Sequence, residues 1–242
     1  MIRYVRKTAR NPWRTLRTKN SCEPLLLGAV FSNRKAISIQ LKKEDGDSIK
    51  LSKQKGVSAL EKKALINIDY TFDFVGDEGA LTCGQPGQEI EGEIVRLTEA
   101  FINNGDYVVF AIDVHDEGDQ FHPETKLYPP HNIRGTKGRE LYGRLKDVYE
   151  EHQDKAHVQY LDKTRYSAFA GTDLEIKLRE RGITEVHLVG VCTDICVLHT
   201  AVDAYNRGFK IVVYKDAVAS FNQNGHFWAL GHFESAMGAM VK

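Results

Sequence analysis

The sequence predicts an α/β fold: a three-layer, doubly wound sheet that is mainly parallel and has helices on both faces. Two observations predict it. From Ala64 onward, short apolar runs alternate with segments of helical spacing, and most connections between them are short. The runs are apolar throughout rather than on one side, which is typical of parallel strands covered on both faces.

Each element has its own signal in the order of the chain. The first strand, Ala64–Tyr70, is an apolar run containing an aspartate near its end. The helix over residues 87–104 has apolar residues at helical spacing and stops at Asn104-Gly105. The later strands are Tyr107–Asp113, His157–Leu161, Glu185–Gly190 and Lys210–Tyr214, and the later helices are Glu140–His152, Asp173–Arg181, Asp194–Arg207 and Phe227–Met240.

Composition excludes several classes of protein. The chain has 242 residues, 42% of them hydrophobic, which is enough for one sizeable core. A formal net charge of zero argues against a nucleic-acid-binding or membrane-surface protein. No apolar run reaches the roughly 18 residues of a membrane-spanning helix. Four cysteines are too few for a disulfide framework and indicate a reducing compartment, so we expect a cytoplasmic protein.

Charge divides the chain near residue 60. Residues 1–60 contain 14 Lys and Arg against 4 Asp and Glu, whereas the remainder is acidic. We predict that residues 1–60 are a weakly ordered basic extension, with one short strand at Ile37–Leu41, and that residues 61–242 form the functional domain. An organellar presequence is a second interpretation of the extension.

Polar residues of unusual type follow the predicted strands, at the edge where ligands bind in open parallel sheets. Asp69 ends the first strand, Asp113 and His115 the second, and Lys163 the third. The fourth strand runs into the sequence Cys192-Thr-Asp-Ile-Cys196, which opens a helix. The sequence therefore predicts a functional site at this edge.

The two cysteines of that turn have three interpretations. A cysteine at a helix start meets free N–H groups and the positive end of the helix dipole, which favour a reactive thiolate and can hold an oxyanion. Alternatively, both are buried small apolar residues, or they form a redox pair with an unusual spacer. Motif spacing by itself leaves the first two interpretations about equal.

Asp69 and Lys163 are candidates for acid–base and electrostatic roles. Apolar neighbours of Asp69 are expected to raise its pKa toward the range of a general acid or base. Asp73, in the same motif, is expected to cap a turn instead. Lys163 precedes the aromatic residue Tyr166, and an ammonium at that position can stabilise a neighbouring thiolate.

The long loop after the second strand carries a candidate metal site. Asp113 and His115 lie two residues apart at a strand end and point to the same side. His122, Glu124 and His131 follow within the loop. Mixed imidazole and carboxylate ligands suit Zn, Mn or Fe without selecting among them. The other interpretation is a solvated polar loop, although loops of this length are usually functional.

Together these segments resemble the isochorismatase-like cysteine hydrolases, most closely the nicotinamidase/pyrazinamidase branch, from about Ala64 to Val241. The resemblance implies a catalytic triad of Asp69, Lys163 and Cys196. It also implies an oxyanion hole from the backbone N–H groups of Cys192 and Cys196, and a non-proline cis peptide between Val191 and Cys192. Cys192 stands where that family usually has a small or aliphatic residue.

The resemblance also implies a metal site and a substrate. Asp113, His115 and His131 match the metal ligands of the family. Some bacterial members add a Glu, which would be Glu124, and His122 is the alternative to it. The expected cofactor is one divalent ion per chain, with Zn favoured and Mn and Fe as alternatives. The implied reaction is hydrolysis of nicotinamide to nicotinate through a cysteine thioester. The candidates for the aromatic walls around the substrate are Phe74, Tyr128 and Tyr166.

Other functions remain open at this stage. A related amide or N-carbamoyl hydrolase would keep the triad but would not need the metal loop to hold a pyridine. A metal-dependent hydrolase would survive loss of Cys196, and a non-catalytic binding domain of the same fold would typically have lost a triad residue. The oligomeric state, including a homo-oligomer, is also open.

Overall fold

A computed structural model describes residues 62–242. The predicted strand at Ile37–Leu41 and the predicted weak order of residues 1–60 lie outside the described residues. The strands are β1 Lys63–Ile68, β2 Tyr107–Asp113, β3 Val158–Lys163, β4 Glu185–Val191, β5 Lys210–Ala219 and β6 Met240–Val241. The helices are α1 Phe72–Val75, α2 Gln85–Glu89, α3 Glu91–Asn103, α4 Arg144–His152, α5 Leu174–Glu180, α6 Leu198–Asn206 and α7 Gln223–Met237.

The six strands form one parallel sheet in the order β3-β2-β1-β4-β5-β6. Because the chain winds outward from β1 in one direction and then from β4 in the other, the sheet is doubly wound. This confirms the predicted fold class. No helix within residues 62–242 combines the length and the apolar character needed to cross a membrane.

Two hydrophobic cores, one on each face of the sheet, make the three layers. On one face, side chains such as Ile66 of β1 pack with α5, α6 and α7, where Phe233 is fully buried. On the other face, Leu65 of β1 packs with α3 and α4 through residues that include Ile94. Alternate residues of a strand point to opposite faces, so one short run supplies both cores.

Several boundaries differ from the sequence prediction for identifiable reasons. The predicted helix over residues 87–104 is divided at Ile90 into α2 and α3. The predicted helix at Glu140 begins only at Arg144, because Leu141 pairs with Thr71 in an antiparallel bridge and Gly143 adopts a positive φ of 54°.

The carboxyl-terminal part of the chain also departs from prediction. Strand β5 continues to Ala219, five residues beyond the predicted end at Tyr214, with an irregular register opposite Leu188 and Gly190. Helix α7 ends at Met237 with Gly238 in the left-handed conformation. The short strand β6, which was not predicted, then adds to the edge of the sheet beside β5.

Candidate active site

The predicted site residues meet at the carboxyl edge of four neighbouring strands. Asp69 directly follows β1, Asp113 ends β2, and Lys163 ends β3. Asp113 and Lys163 are register partners in the β2–β3 ladder. Cys196 lies in a π-helical turn, Thr193–Val197, that follows β4. The strand order therefore places these four side chains side by side although up to 127 positions separate them in the chain.

The Lys163 ammonium is the centre of the first cluster. Its Nζ lies 2.7 Å from Asp69 Oδ2 and 3.8 Å from Cys196 Sγ. It also lies 3.6 Å from Asp113 Oδ1 and donates to the Arg165 carbonyl oxygen at 3.1 Å. Asp69 and Lys163 are completely or almost completely buried, and Cys196 is only 7% exposed. Asp69, Lys163 and Cys196 are called the triad below.

Burial and charge set the ionisation of the triad. Burial raises the pKa of the Asp69 carboxyl to about 6, although Lys163 opposes this shift. Burial disfavours the charged form of Lys163, but the surrounding anions, led by Asp69, raise the pKa of the lysine above its ordinary value. The raised pKa of Asp69 confirms the expectation from its apolar neighbours.

The expectation of a thiolate at Cys196 is wrong for the resting site. Burial raises the pKa of the Cys196 thiol well above its ordinary value, and the nearby Asp69 carboxylate adds to this rise while Lys163 opposes it. The turn around Cys196 is also π-helical, with Cys192 at its N-cap position. Asp194 caps nothing there, since its carboxylate accepts hydrogen bonds from Ser220 and Asn222. The resting thiol therefore needs a base.

Asp69 is held firmly in place as that base. Its φ of 54° lies in the left-handed region that non-glycine residues rarely adopt. Its backbone N–H donates to the Ala111 carbonyl oxygen at 3.1 Å, and its Oδ1 accepts the N–H of Asp113 at 2.7 Å. The Asp69 carboxylate also lies close enough to the Cys196 thiol to raise the pKa of that thiol. These contacts fix the carboxylate between the lysine and the cysteine.

The loop after β2 forms a second cluster, called the quartet below. One ligand-type atom from each of its four residues lies within 4.8 Å of the other three, and all four side chains are buried. The quartet consists of Asp113, His115, Glu124 and His131. It is the one such group of His, Cys, Asp and Glu found in residues 62–242.

The chemistry of the quartet fits a bound cation. His131 Nε2 lies 3.5 Å from Glu124 Oε2 and 3.6 Å from Asp113 Oδ2. Among the described residues, His131 Nε2 and Asp113 Oδ1 are buried without a hydrogen-bond partner. His131 Nδ1 contacts the Pro129 carbonyl oxygen at 2.8 Å, which leaves Nε2 free to face a ligand. Two imidazoles and two carboxylates are a donor set that Zn, Mn and Fe accept.

His122 takes a different role from Glu124. Its Nε2 lies 2.7 Å from the Thr164 carbonyl oxygen, and its Nδ1 accepts the N–H of Glu124 at 3.3 Å. Its ring packs edge-on against the ring of His115, 4.2 Å between centroids. His122 is therefore a neighbour that braces the quartet rather than a member of it.

Asp73 links three segments of the site, a role that the sequence did not reveal. Its Oδ2 accepts the N–H of Asn132, next to His131, at 2.7 Å. Its Oδ1 accepts the N–H of Ala80 at 3.2 Å. Asn132 has a positive φ of 45°, and its Oδ1 accepts the Thr71 hydroxyl at 2.9 Å. These bonds tie the quartet loop to the segment that follows Asp69.

A cavity of about 440 Å³ opens beside both clusters. The predicted aromatic walls Phe74, Tyr128 and Tyr166 all line it, as do Cys192 and Cys196. Glu124 lines it too, so one residue of the quartet and one residue of the triad border the same space. Further lining residues that were not predicted are Gly79, Ala80, Leu81, Thr82, Val191, Ile195 and Phe221. Phe221 follows β5. Because ligands bind at the carboxyl ends of parallel strands, a correct prediction of where β5 ends would have identified Phe221 as a candidate.

The peptide between Val191 and Cys192 is cis, as the resemblance implied. Both residues line the cavity, and Cys192 Sγ lies 3.3 Å from the sulfur of Cys83. Cys192 therefore faces the site, while its sulfur contacts a third cysteine that the sequence had not placed there.

Comparison with known proteins gives a consistent result. The isochorismatase domain family matches residues 63–242. The chain is 69% identical over 180 residues to the isochorismatase family protein PncA of Bacillus subtilis, covering 74% of this chain and 98% of that protein. The match leaves most of the basic extension outside the shared region.

Solved structures agree in fold and in sequence. The crystal structure of the nicotinamidase/pyrazinamidase PncA of B. subtilis is 68% identical, with a TM-score of 0.74, covering 74% of this chain and 98% of that one. The pyrazinamidase/nicotinamidase of Streptococcus mutans is 57% identical, with a TM-score of 0.74 and coverage of 75% and 100%. The pyrazinamidase of Pyrococcus horikoshii in complex with zinc is 29% identical, with a TM-score of 0.65 and coverage of 75% and 98%.

Proposed function

This chain belongs to the isochorismatase family, and from that premise we propose that it is a nicotinamidase. It hydrolyses the carboxamide of nicotinamide to nicotinate and ammonia, as an amidohydrolase in pyridine nucleotide salvage. The similarity to solved nicotinamidases at 68% and 57% identity supports this function over the alternatives. The free cysteines Cys83, Cys192 and Cys196 are in keeping with action in a reducing compartment, for which we propose the cytoplasm.

One observation carries the proposal: Cys196 of a complete triad and Glu124 of a complete quartet line the same cavity. Lys163 contacts Asp69 of the triad at 2.7 Å and Asp113 of the quartet at 3.6 Å. An amide placed beside Cys196 would therefore have a nucleophile and a base at hand, and the cavity extends from there to Glu124 of the quartet. A cavity of about 440 Å³ with apolar and aromatic walls suits a single-ring substrate.

Acylation begins with proton transfer from the Cys196 thiol to Asp69. Lys163 stabilises the resulting thiolate, and this attraction offsets the unfavourable burial of the negative charge on the sulfur. The thiolate attacks the carboxamide carbon, and backbone N–H groups of Cys192 and Cys196 hold the oxyanion of the tetrahedral intermediate. Protonated Asp69 then delivers its proton to the departing nitrogen, so that ammonia leaves and a thioester remains on Cys196.

Deacylation uses the same carboxylate. Asp69 removes a proton from a water molecule, and the hydroxide attacks the thioester carbonyl carbon. The same N–H groups hold the second oxyanion, and its collapse breaks the carbon–sulfur bond. Nicotinate leaves, and the proton returns to the Cys196 sulfur. Since Lys163 contacts both the carboxylate and the sulfur, it stays the electrostatic partner of whichever group is charged.

The cofactor proposed for the quartet is one divalent ion, with zinc favoured over manganese and iron. Asp113, His115, Glu124 and His131 would hold such an ion, which would orient a pyridine ring by binding its nitrogen. Phe74 and Tyr128 pack near His131, with ring centroids 5.5 and 6.2 Å away, and form walls beside that position. Tyr166 and Phe221 also line the cavity.

Ammonia and nicotinate release from nicotinamide by the purified full-length chain tests the proposal. Pyrazinamide keeps a nitrogen in the ring and is expected to react as well. Benzamide has the same ring without that nitrogen, and we expect its kcat/KM to fall by at least about 100-fold if the quartet holds the ring. Hydrolysis of an N-carbamoyl amino acid in preference to nicotinamide would instead support the related amide hydrolase.

A further inference from the structure

Two buried thiols outside the triad lie in direct contact. The Sγ atoms of Cys83 and Cys192 are 3.3 Å apart, and no disulfide joins them. Cys83 is 5% exposed and Cys192 is 7% exposed. Neither sulfur takes part in the proposed hydrolysis, so their contact has no explanation in the mechanism.

The two cysteines lie on different segments of the cavity wall. Cys192 lines the cavity and precedes Cys196 by four residues. Cys83 directly follows the lining segment Gly79–Thr82 and is not itself in the lining. Its backbone N–H donates to the Phe74 carbonyl oxygen at 2.8 Å. A covalent bond between the two sulfurs would therefore tie this lining segment to the turn that carries the nucleophile.

The surroundings distinguish the two sulfurs. The two sulfurs share a hydrogen bond in which either can be the donor. This hydrogen bond with Cys192 lowers the pKa of Cys83 despite its burial. The same contact with Cys83, with burial, raises the pKa of Cys192 well above its ordinary value. Cys83 is thus the thiol that more readily becomes the attacking thiolate.

We propose that Cys83 and Cys192 are an oxidation site, a dithiol that a hydroperoxide converts reversibly into an intramolecular disulfide that lowers the activity of the neighbouring Cys196. The sulfurs are already in contact, and the cavity gives a small peroxide access to Cys192. A disulfide requires a sulfur–sulfur distance of about 2.05 Å, so the two segments must approach by only about 1.2 Å from the 3.3 Å observed.

The reaction balances with one peroxide molecule. Peroxide in the cavity meets Cys192, and the Cys192 sulfur attacks a peroxide oxygen, so that a sulfur–oxygen bond forms as the oxygen–oxygen bond breaks. With hydrogen peroxide the leaving hydroxide takes up the proton lost by Cys192 and becomes water. The Cys83 sulfur then attacks the sulfenic sulfur of Cys192, which forms the disulfide and breaks the sulfur–oxygen bond. The second hydroxide leaves with the Cys83 proton as water, and two thiols have lost two electrons.

The effect on activity follows from the position of Cys192. Its backbone N–H is one of the two groups proposed to hold the oxyanion, and this part of the inference rests on the proposed function. A displacement of about 1 Å at such a group can reduce turnover by about 100-fold. The disulfide itself does not depend on what the enzyme hydrolyses.

Peptide mapping tests the bond and ammonia release tests its effect. The full-length chain is titrated with hydrogen peroxide, its free thiols are blocked, and a tryptic digest is searched by mass spectrometry for a peptide linking Cys83 to Cys192. We expect this peptide to accumulate as kcat falls by at least about 10-fold, and both changes to reverse with dithiothreitol.

Cys83→Ser separates this site from direct oxidation of the nucleophile. Because Cys83 is outside the cavity lining, the variant should keep its basal activity while losing the linked peptide and the reversible inactivation. Cys83→Ala is a second variant in case the serine disturbs the buried contact, and Cys22→Ser is the matched control that should behave as the wild type.

Three outcomes would overturn the inference. Oxidation of Cys196 without any linked Cys83–Cys192 peptide excludes the site. Reversible inactivation that persists in both Cys83 variants assigns it to another thiol. A fully formed disulfide with unchanged kcat removes the effect on activity. If the linked peptide forms in a protein that does not hydrolyse nicotinamide, the oxidation site is supported and the proposed function fails.

Discussion

The triad and the quartet lie side by side but are built in opposite ways. The triad gathers Asp69, Lys163 and Cys196 from three separate strand ends, spread over 127 positions of the chain. The quartet comes from the last residue of β2 and the loop that follows it, and its outermost members, Asp113 and His131, are 18 positions apart. Sheet topology therefore assembles the triad, whereas one continuous segment of chain supplies the whole quartet.

The two clusters also differ in how their charges are balanced. In the triad, the Lys163 ammonium lies 2.7 Å from the Asp69 carboxylate. The attraction of the surrounding anions, led by Asp69, outweighs the cost of burying the charge of the lysine. In the quartet, His131 Nε2 and Asp113 Oδ1 are buried without a hydrogen-bond partner. Burial opposes the ionised form of Asp113, but Lys163 and the adjacent histidines lower the pKa of that carboxyl to about 2. The triad thus contains its own cation in Lys163, whereas the donor set of the quartet fits a bound cation.

The largest expected effect is on turnover. Cys196→Ala should lower nicotinamide hydrolysis by about 10⁴-fold or more while the metal content stays the same, because the quartet does not include the sulfur. Cys192→Ala should keep most of the activity, since only the backbone of Cys192 is proposed to act. Initial rates and metal analysis of both variants check this. Substantial turnover in Cys196→Ala would favour the metal-dependent hydrolase.

The next effect is on stability. Lys163→Met leaves the Asp69 and Asp113 carboxylates buried without their cation, which we expect to cost about 3–5 kcal/mol of unfolding free energy. Denaturant unfolding of the metal-free protein measures it. Lys146→Met is the control, because Lys146 pairs with Glu140 at 2.8 Å on the surface and its loss should leave the midpoint nearly unchanged. Equal midpoints for the two variants would mean that the triad is not balanced through Lys163.

His115→Ala distinguishes the quartet from the triad. Removing this imidazole should weaken metal binding by at least about 100-fold, measured by titration of the metal-free protein with zinc. His122→Gln is a matched control, because His122 packs on His115 but contacts the Thr164 carbonyl oxygen. If His122→Gln lost as much affinity as His115→Ala, His122 would be a ligand and the quartet would be wrongly assigned.

A smaller effect is expected at the link between the two clusters. Asp73→Asn weakens the bonds to the N–H groups of Asn132 and Ala80, so we expect metal affinity to fall by about 10-fold. At saturating metal kcat should be almost unchanged, since Asp73 touches no reacting group. Asp77→Asn, which alters an exposed hydrogen bond to Gln88, is the control. A loss of kcat that excess metal does not restore would give Asp73 a role in the triad.

The smallest effect is expected from the basic extension. A chain that begins at Ser58 should fold and hydrolyse nicotinamide at close to the full-length rate, because the family match starts at residue 63 and all eight residues of the triad, the quartet and Cys192 follow it. Circular dichroism and initial rates at matched protein concentration test this. Loss of folding would indicate that residues 1–57 stabilise the domain.

The sequence determined the fold class and most of the site. Apolar runs and helical spacing are local properties, so the strand–helix alternation and the parallel sheet could be derived from them. Ligands bind at the carboxyl ends of parallel strands, and this rule placed four segments together: Asp69, Asp113, Lys163 and the Cys192–Cys196 turn. The structure does bring them into contact. The resemblance supplied their roles, which local pattern could not.

Only the tertiary structure decided which atoms meet and how they ionise. Asp73 looked like a turn-capping residue, and its link to Asn132 depends on a loop 59 positions away. By residue type and spacing, Glu124 and His122 were equal candidates for the metal site. In the structure Glu124 joins the other three ligand residues, whereas His122 contacts the Thr164 carbonyl oxygen. The helix start at Cys196 suggested a low thiol pKa, but burial, a property of the whole fold, raises it. Contacts and desolvation depend on residues that are distant in the chain, so they cannot be predicted from the spacing of residues along the sequence.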